Sequence, residues 1–204
     1  MLDPDDREPG GRAPAPASLR LVQEFLNTND IEGASEAFSS ASALGAWLVR
    51  RELIQGSVRL NDSDRLRAVS AREAIRDLLV ARDEGAADSE ATSQLERLSR
   101  AAGLALRIGP DRWELVTSDQ GVDAVVVRIL GDVVAAMADG SWRRLKACRR
   151  DACRWTFWDG SRNRSGTWCA MSVCGNRAKG ARFRARERGQ QPVRRTPREV
   201  THAT

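Results

Sequence analysis

The sequence contains almost no histidine and no long apolar run, and each shortage excludes a class of protein. Its 204 residues include one histidine, His202, so the chain offers no candidate for a catalytic histidine. No apolar run approaches the roughly 18 residues that a membrane-spanning helix needs. The chain also lacks a glycine-rich phosphate-binding loop, and we therefore do not expect an enzyme.

The first residues, "MLDPDDREPGGRAPAPAS", are acidic and proline-rich and lack the apolar centre of a secretory signal. We therefore expect a cytoplasmic protein. In a reducing compartment clustered cysteines are better interpreted as metal ligands or redox groups than as disulfides. The composition also predicts disordered tails over residues 1–17 and 189–204.

Positive and negative charge are unevenly divided along the chain. Residues 1–140 contain 16 Arg and Lys against 24 Asp and Glu, a net charge of −8. Residues 141–204 contain 17 against 4, a net charge of +13. A coding bias explains why arginine outnumbers lysine, but it does not explain why acidic residues are scarce in the second part. Such a basic region is expected to bind a polyanion.

Residues 18–140 show the patterns of a helical domain. Apolar residues recur at helical spacing in five segments: 18–28, 40–53, 61–85, 89–103 and 118–140. Residues 104–108 and 113–115 alternate around a Gly-Pro-Asp turn and predict a small β-hairpin. The long apolar stripe of residues 118–140 is interpreted as a core helix in preference to a dimer seam. The sequence leaves open whether this domain forms a homodimer or binds a small molecule.

All four cysteines lie within 27 residues of the basic region. Their spacing, C-x4-C-x15-C-x4-C, places two pairs on either side of a loop, as in structural zinc sites. Random placement would rarely confine four unrelated thiols to so short a segment. Four thiolates leave no open coordination position, so we predict one structural Zn²⁺ ion, bound by Cys148, Cys153, Cys169 and Cys174.

Residues 141–188 are too few and too charged to build an apolar core, so metal binding would supply the free energy of folding. Residues 154–159 predict a strand, with residues 167–169 as its partner. A small core around the metal is expected to contain Trp155, Trp158 and Trp168. The predicted elements are a turn that carries the first two cysteines (the knuckle), a β-hairpin, and a helix that carries the last cysteine. Together they form a treble-clef-like arrangement.

The predicted helix begins at Cys174, with Ala178, Ala181 and Ala185 on the same face as that cysteine. Its arginines would neutralise phosphates and pair with guanine edges, and its size suits a major groove. Asn176 would either read a base or cap the helix. We expect nucleic-acid contacts from this helix at Asn176, Arg177, Lys179, Arg182, Arg184, Arg186 and Arg188.

The segment "WCAMSVCGNRAK", preceded by "CRWTFWDGSRNRS", resembles the CGNR zinc-finger family, which is named for residues 174–177. The N-terminal part is similar to the ABATE domain that accompanies this finger. That similarity lies in "EFLNT" (24–28), the helix of Trp47 and "AREAIRDLL" (71–79). The family is regarded as stress-induced transcription regulators with a zinc- and DNA-binding finger.

The resemblance implies that the four cysteines are the zinc ligands. It also implies basic signature residues at Arg162, Arg164, Arg177 and Lys179. The family commonly has Ser-Arg-Arg before Trp-Cys, whereas this chain has Ser165, Gly166 and Thr167. Two positive charges expected for phosphate contacts are therefore missing.

The sequence thus predicts a mainly α fold. A helical N-terminal domain over residues 18–140 with a small β-hairpin precedes a treble-clef-like, four-cysteine zinc finger over residues 141–188. The predicted function is that of a bacterial, stress-related regulator that binds DNA and whose acidic domain senses a signal or dimerises. Two alternatives are a redox switch, in which oxidised thiolates release zinc, and an RNA-binding protein.

Overall fold

The computed structural model describes residues 8–56, 58–111, 113–117 and 121–189. Within these residues the helices are α1 (Ala17–Leu26), α2 (Ala41–Arg50), α3 (Asp62–Asp83), α4 (Ser89–Ala101), α5 (Val122–Ala138) and α6 (Asn176–Gly189). Three antiparallel hairpins join β1 (Asn29–Asp30) to β2 (Ser35–Glu36), β3 (Ala105–Ile108) to β4 (Trp113–Val116), and β5 (Leu145–Ala147) to β6 (Thr156–Trp158). The predicted mainly α fold with small hairpins is confirmed.

Polar side chains fix the starts of three helices. The Asn61 side chain accepts a hydrogen bond from Asp64 N at 3.1 Å, and the Asp64 carboxylate accepts one from Asn61 N at 2.7 Å, which forms a capping box at α3. Ser40 caps α2 and Asp88 caps α4 through single hydrogen bonds. These caps satisfy backbone donors that the first helical turn leaves unpaired.

The main core lies between α1, α2, α3 and α5. At its centre Phe25, Phe38 and Trp47 pack with ring centroids 5.4–6.2 Å apart. Although Val134 and Met137 of its apolar stripe are exposed, six apolar residues of α5 are buried in this core, which confirms that α5 is a core helix. Burial of these side chains supplies the hydrophobic driving force for this part of the chain.

The segment before the first cysteine belongs to the same core. Leu145 and Ala147 of β5 are buried in it, and Trp158 of β6 packs against it. The predicted pairing of the 154–159 strand with residues 167–169 is therefore wrong, because Leu145–Ala147 is the partner. Burial of the two apolar side chains against α3 holds this short strand in place. The prediction that Trp158 belongs to the metal-site core is wrong for the same reason.

The N-terminal segment packs against the cysteine-rich region from residue 8 onward, in place of the disorder expected over residues 1–17. Arg12 donates hydrogen bonds to Cys169 O at 2.7 Å and to Trp168 O at 2.9 Å, and its guanidinium lies 4.4 Å from the centre of the Phe157 ring. Residues 1–7 lie outside the described part of the chain. The C-terminal tail expected over residues 189–204 also lies outside it, apart from Gly189 at the end of α6.

In the described ranges no helix combines the length and the apolar character needed to cross a membrane.

Candidate metal centre and nucleic-acid interface

The four cysteines converge from three pieces of chain. Cys148 follows β5, Cys153 ends the turn after it, Cys169 follows the long loop, and Cys174 lies in a π-helical turn at Met171–Gly175 that leads into α6. Their sulfur atoms all lie within 4.8 Å of one another. The Sγ atom of Cys169 is 3.7 Å from that of Cys153 and 3.6 Å from that of Cys174. All four side chains are buried.

Four thiols this close cannot all ionise unless a cation compensates them. Hydrogen bonds from Cys153 and Cys169 lower the pKa of Cys148. The hydrogen bond with Cys148 in turn raises the pKa of Cys153 and of Cys169. A divalent cation removes the conflict because it deprotonates the thiols that coordinate it. A buried, all-sulfur set of four donors fits a structural zinc ion and leaves no open position for chemistry.

Backbone hydrogen bonds hold the first pair of cysteines in a knuckle at the tip of the β5–β6 hairpin. Cys148 N donates to Trp155 O at 2.9 Å, and Cys153 N donates to Arg150 O at 2.8 Å. Phe157 is fully buried beside the sulfur cluster, and Trp155 and Trp168 pack around it half-buried. These contacts confirm that Trp155 and Trp168 are part of the small core around the metal site.

Asp159 organises the loop that carries Arg162 and Arg164. Its buried carboxylate pairs with Lys146 Nζ at 2.9 Å and accepts hydrogen bonds from Ser161 N and Gly166 N. Burial alone would raise the pKa of Asp159, but these hydrogen bonds outweigh it and hold the pKa well below its usual range. The loop is thereby folded around an internal anion, with both arginines exposed at its surface.

The Asp159 carboxylate also constrains the residue at position 166. A Cβ atom at this position would lie 2.8 Å from an Asp159 carboxylate oxygen, which is too close for any side chain. The position of the Asp159 carboxylate therefore requires glycine at residue 166. Gly175 differs, because a Cβ there would meet the sulfur of Met171, the end of an exposed and flexible side chain that can move aside.

Helix α6 carries most of the predicted nucleic-acid contacts. None of its residues, all within the described part of the chain, is buried. Its six basic side chains are exposed: Arg177, Lys179, Arg182, Arg184, Arg186 and Arg188. The predicted alanine face does not continue toward the metal. Ala178 is half-buried, but Ala181 and Ala185 are exposed, because α6 leaves the body of the protein after its first turn.

Two of the predicted residues have partners inside the protein. The Asn176 side chain donates a hydrogen bond to Ser172 O at 3.1 Å, one turn back. This hydrogen bond gives Asn176 a structural role at the start of α6, which was the alternative to contact with a base. The Arg177 guanidinium forms an ion pair with Glu32. The signature arginine of the finger thus contacts the N-terminal region.

Glu32 and Arg150 are site residues that the sequence did not reveal. Glu32 lies in the turn between β1 and β2, and its carboxylate pairs with Arg150 Nη2 at 2.6 Å. It also lies 3.8 Å from Cys174 Sγ. A hydrogen bond with Cys174 and the charges of the neighbouring thiolates raise the pKa of Arg150. Strands of two residues are too short to show an alternating pattern, so no sequence signal marked this hairpin.

Two buried arginines of α3 fix the base of the β1–β2 hairpin. Arg72 pairs with both carboxylate oxygens of Glu36, at 2.7 and 2.6 Å. Arg76 donates to the carbonyls of Leu26 and Asn29 on the other side of the hairpin. Both guanidinium groups are almost fully buried. The hairpin base is therefore held by charge-assisted hydrogen bonds, which are among the stronger polar contacts in proteins.

Fold and site together define a helical domain with a four-cysteine zinc finger packed against it. Residues 144–187 match the CGNR zinc finger family. Residues 19–142 match ABATE, a family described as "Putative stress-induced transcription regulator". The ABATE match covers more than half of the chain, and the chain therefore belongs to this family. The four buried cysteines form the zinc site of its CGNR finger. No curated protein matches the chain.

Proposed function

We propose that this protein is a zinc-dependent transcription regulator that binds DNA through α6 and acts in the cytoplasm in a stress response. One observation carries the proposal. A helix of 14 residues buries no side chain and exposes six basic residues against one acidic residue, Glu187. Such a helix has no apolar face for the rest of the chain, whereas its charge attracts phosphates.

The dimensions of α6 support a groove-binding role. Fourteen residues span about 21 Å, and a helix with its side chains is about 10–12 Å wide. The DNA major groove is about 12 Å wide and admits an α-helix. A zinc ion held by the four cysteines would fix Cys174 and thereby the direction in which α6 leaves the protein. We propose no enzymatic activity, because all four coordination positions of such an ion would be occupied by sulfur.

The test is selection of bound sequences from random duplex DNA by the zinc-loaded protein, followed by affinity measurements over a range of salt. We expect the Arg182→Gln/Arg186→Gln variant to bind more weakly. Its slope of log affinity against log salt should be shallower by about 1.8, since each lost phosphate contact removes about 0.9. Arg97→Gln, at an exposed arginine of α4, is the control. Equal binding by both variants and the wild type would contradict the proposal.

An exposed aromatic residue supports a second candidate function, the binding of single-stranded nucleic acid or RNA. Phe183 of α6 is 63% exposed between Arg182 and Arg184. Stacking of a base on an aromatic ring contributes about 1–3 kcal/mol and requires an unpaired base. Phe183→Ala should weaken binding to single strands and leave duplex binding nearly unchanged. Stronger binding of structured RNA than of duplex DNA at the same salt would favour this candidate.

A further inference from the structure

Two arginines of the finger converge on one point beside the sulfur cluster. Arg150 lies in the knuckle between the first two cysteines, and Arg177 lies in the first turn of α6. Both guanidinium groups contact the same oxygen, Oε1 of Glu32. Two guanidinium groups that converge on one oxygen form an anion site, because their N–H donors match carboxylate and phosphate oxygens equally well.

The occupant of this site comes from the ABATE domain. Glu32 is the tip of the β1–β2 hairpin, and the residues that follow it, 33–35, are exposed. The base of the hairpin is fixed by Arg72 and Arg76, as described above. The fixed base of the hairpin therefore holds its tip next to the finger. The contact of Glu32 with the two arginines lies at the protein surface.

The site is accessible to a ligand from solution. The Arg177 side chain is 55% exposed and that of Glu32 is 29% exposed. A groove of about 460 Å³ opens next to Arg177 along α6, lined by Ser172, Val173, Asn176, Arg177, Gly180 and Arg184. A phosphate group at Arg177 would thus continue into the surface that carries the other basic residues of α6.

We propose that Arg150 and Arg177 form a phosphate site of the DNA-binding surface and that Glu32 competes for it within the protein. The carboxylate occupies the place of a DNA phosphate, so the ABATE domain restrains binding by the finger. This inference rests on the proposed function and adds a residue-level site and its regulation. It also assigns Arg150, which lies outside α6, to the nucleic-acid interface.

The test compares Glu32→Gln with wild type as zinc-loaded full chains on random-sequence duplex DNA. We expect the variant to bind about three- to tenfold more tightly, the range for the loss of ion pairs at a partly exposed site. The salt slope should become steeper by about 0.9, because one more phosphate contact forms. Asp77→Asn is the matched control. It removes the same charge and frees Arg154 of the finger from its pair, but leaves Arg150 and Arg177 in place.

A second variant and a measurement without DNA separate the possible outcomes. Adding Arg177→Gln to Glu32→Gln should abolish the gain in affinity. Side-chain NMR of Arg177 should show greater mobility in Glu32→Gln than in wild type, and unchanged mobility would overturn the contact itself. If wild type binds duplex DNA but Glu32→Gln binds no tighter than Asp77→Asn, competition by Glu32 is wrong and the proposed function stands. If no zinc-loaded chain binds duplex DNA, both proposals fail.

Discussion

The ABATE domain and the zinc finger differ in the side chains that form their buried interiors. In residues 19–142 apolar faces of α1, α2, α3 and α5 meet in one core, with three aromatic rings at its centre. In residues 144–187 the second cluster consists of four cysteines, Phe157 and Ala170, flanked by two half-buried tryptophans. A domain with an apolar core can spread acidic charge over its surface. We expect a basic module of this size to depend on a metal ion to remain folded.

The boundary between the two regions uses both kinds of contact. Leu145 and Ala147 extend the apolar core of the ABATE domain up to the first cysteine. Beside them, the Asn27 side chain accepts a hydrogen bond from Thr156 N and donates one to Thr156 O, both at 2.8 Å. These contacts set the direction of the finger, and we expect the metal ion to supply most of the folding free energy of residues 148–188.

The largest effect is expected from removing one sulfur. Cys169→Ser should unfold residues 148–188 and leave the helical signal of the ABATE domain nearly unchanged. A structural zinc site contributes about 10–16 kcal/mol of folding free energy, which is more than a small module can lose. Hydrogen exchange along the chain, together with zinc content, checks this, with Ser172→Ala as the control. A variant that stays folded and zinc-loaded would show that Cys169 is not a ligand.

A substitution in the apolar core should instead destabilise the ABATE domain. Phe25 is fully buried, with its ring centroid 5.8 Å from that of Phe38 and 6.2 Å from that of Trp47. Phe25→Ala should therefore lower the free energy of unfolding of the ABATE domain by about 3–5 kcal/mol. Zinc affinity, measured by competition with a chelator, should change little while the variant is folded. A large loss of zinc affinity under those conditions would mean that the two regions are not stabilised separately.

The sequence was sufficient for helices α1 to α5, because each has an apolar stripe and three of them, α2, α3 and α4, begin at a capping side chain. It was insufficient where a short segment is held only by contacts with distant parts of the chain. The three residues of β5 show no pattern of their own, and burial of Leu145 against α3 decides their partner. Residues 8–16 were expected to be disordered because of their composition, but Arg12 binds carbonyls of the finger.

The same distinction holds for the site. The four cysteines were found because a metal site constrains both residue type and spacing, and the structure brings them together. The charge of α6 was visible because its arginines are concentrated in one short segment, and their contact with nucleic acid stays a prediction. The pairing of Glu32 with Arg150 and Arg177 was not found, because Glu32 is one acidic residue among many in an acidic domain. Only the fold brings it next to Cys174, 142 positions away.

Acid should affect the ABATE domain through Glu36. Burial raises the pKa of Glu36, but hydrogen bonds and charge from Arg72 outweigh it and leave the pKa below its ordinary value. Because the folded state holds this proton less tightly, the stabilisation is present above the unfolded pKa of about 4.3 and is lost as pH falls below it.

Glu36→Gln leaves the buried Arg72 without this partner, although Glu73 remains beside it. We expect a loss of about 2–3 kcal/mol near neutral pH, less than for a fully buried pair because Glu36 is partly exposed. The difference from wild type should shrink as pH falls below about 4.3. Urea unfolding at several pH values measures it, with Glu96→Gln, in an exposed pair, as the control. A difference that stays constant with pH would show that Glu36 does not stabilise the hairpin base as an anion.

The smallest effect is expected at the boundary itself. Asn27→Ala leaves Thr156 N without its acceptor and Thr156 O with only the longer hydrogen bond from Gln23 Nε2 at 3.4 Å, which should cost about 1–2 kcal/mol because the Thr156 backbone is buried. Asp77→Asn breaks an ion pair that is partly exposed to water and should cost less than about 1 kcal/mol. Hydrogen exchange of the amides of β6 should therefore accelerate in the first variant and change little in the second. If Asp77→Asn instead accelerates exchange more than Asn27→Ala does, surface charge positions the finger against the ABATE domain. The hydrogen bonds of Asn27 would then be a consequence of that position.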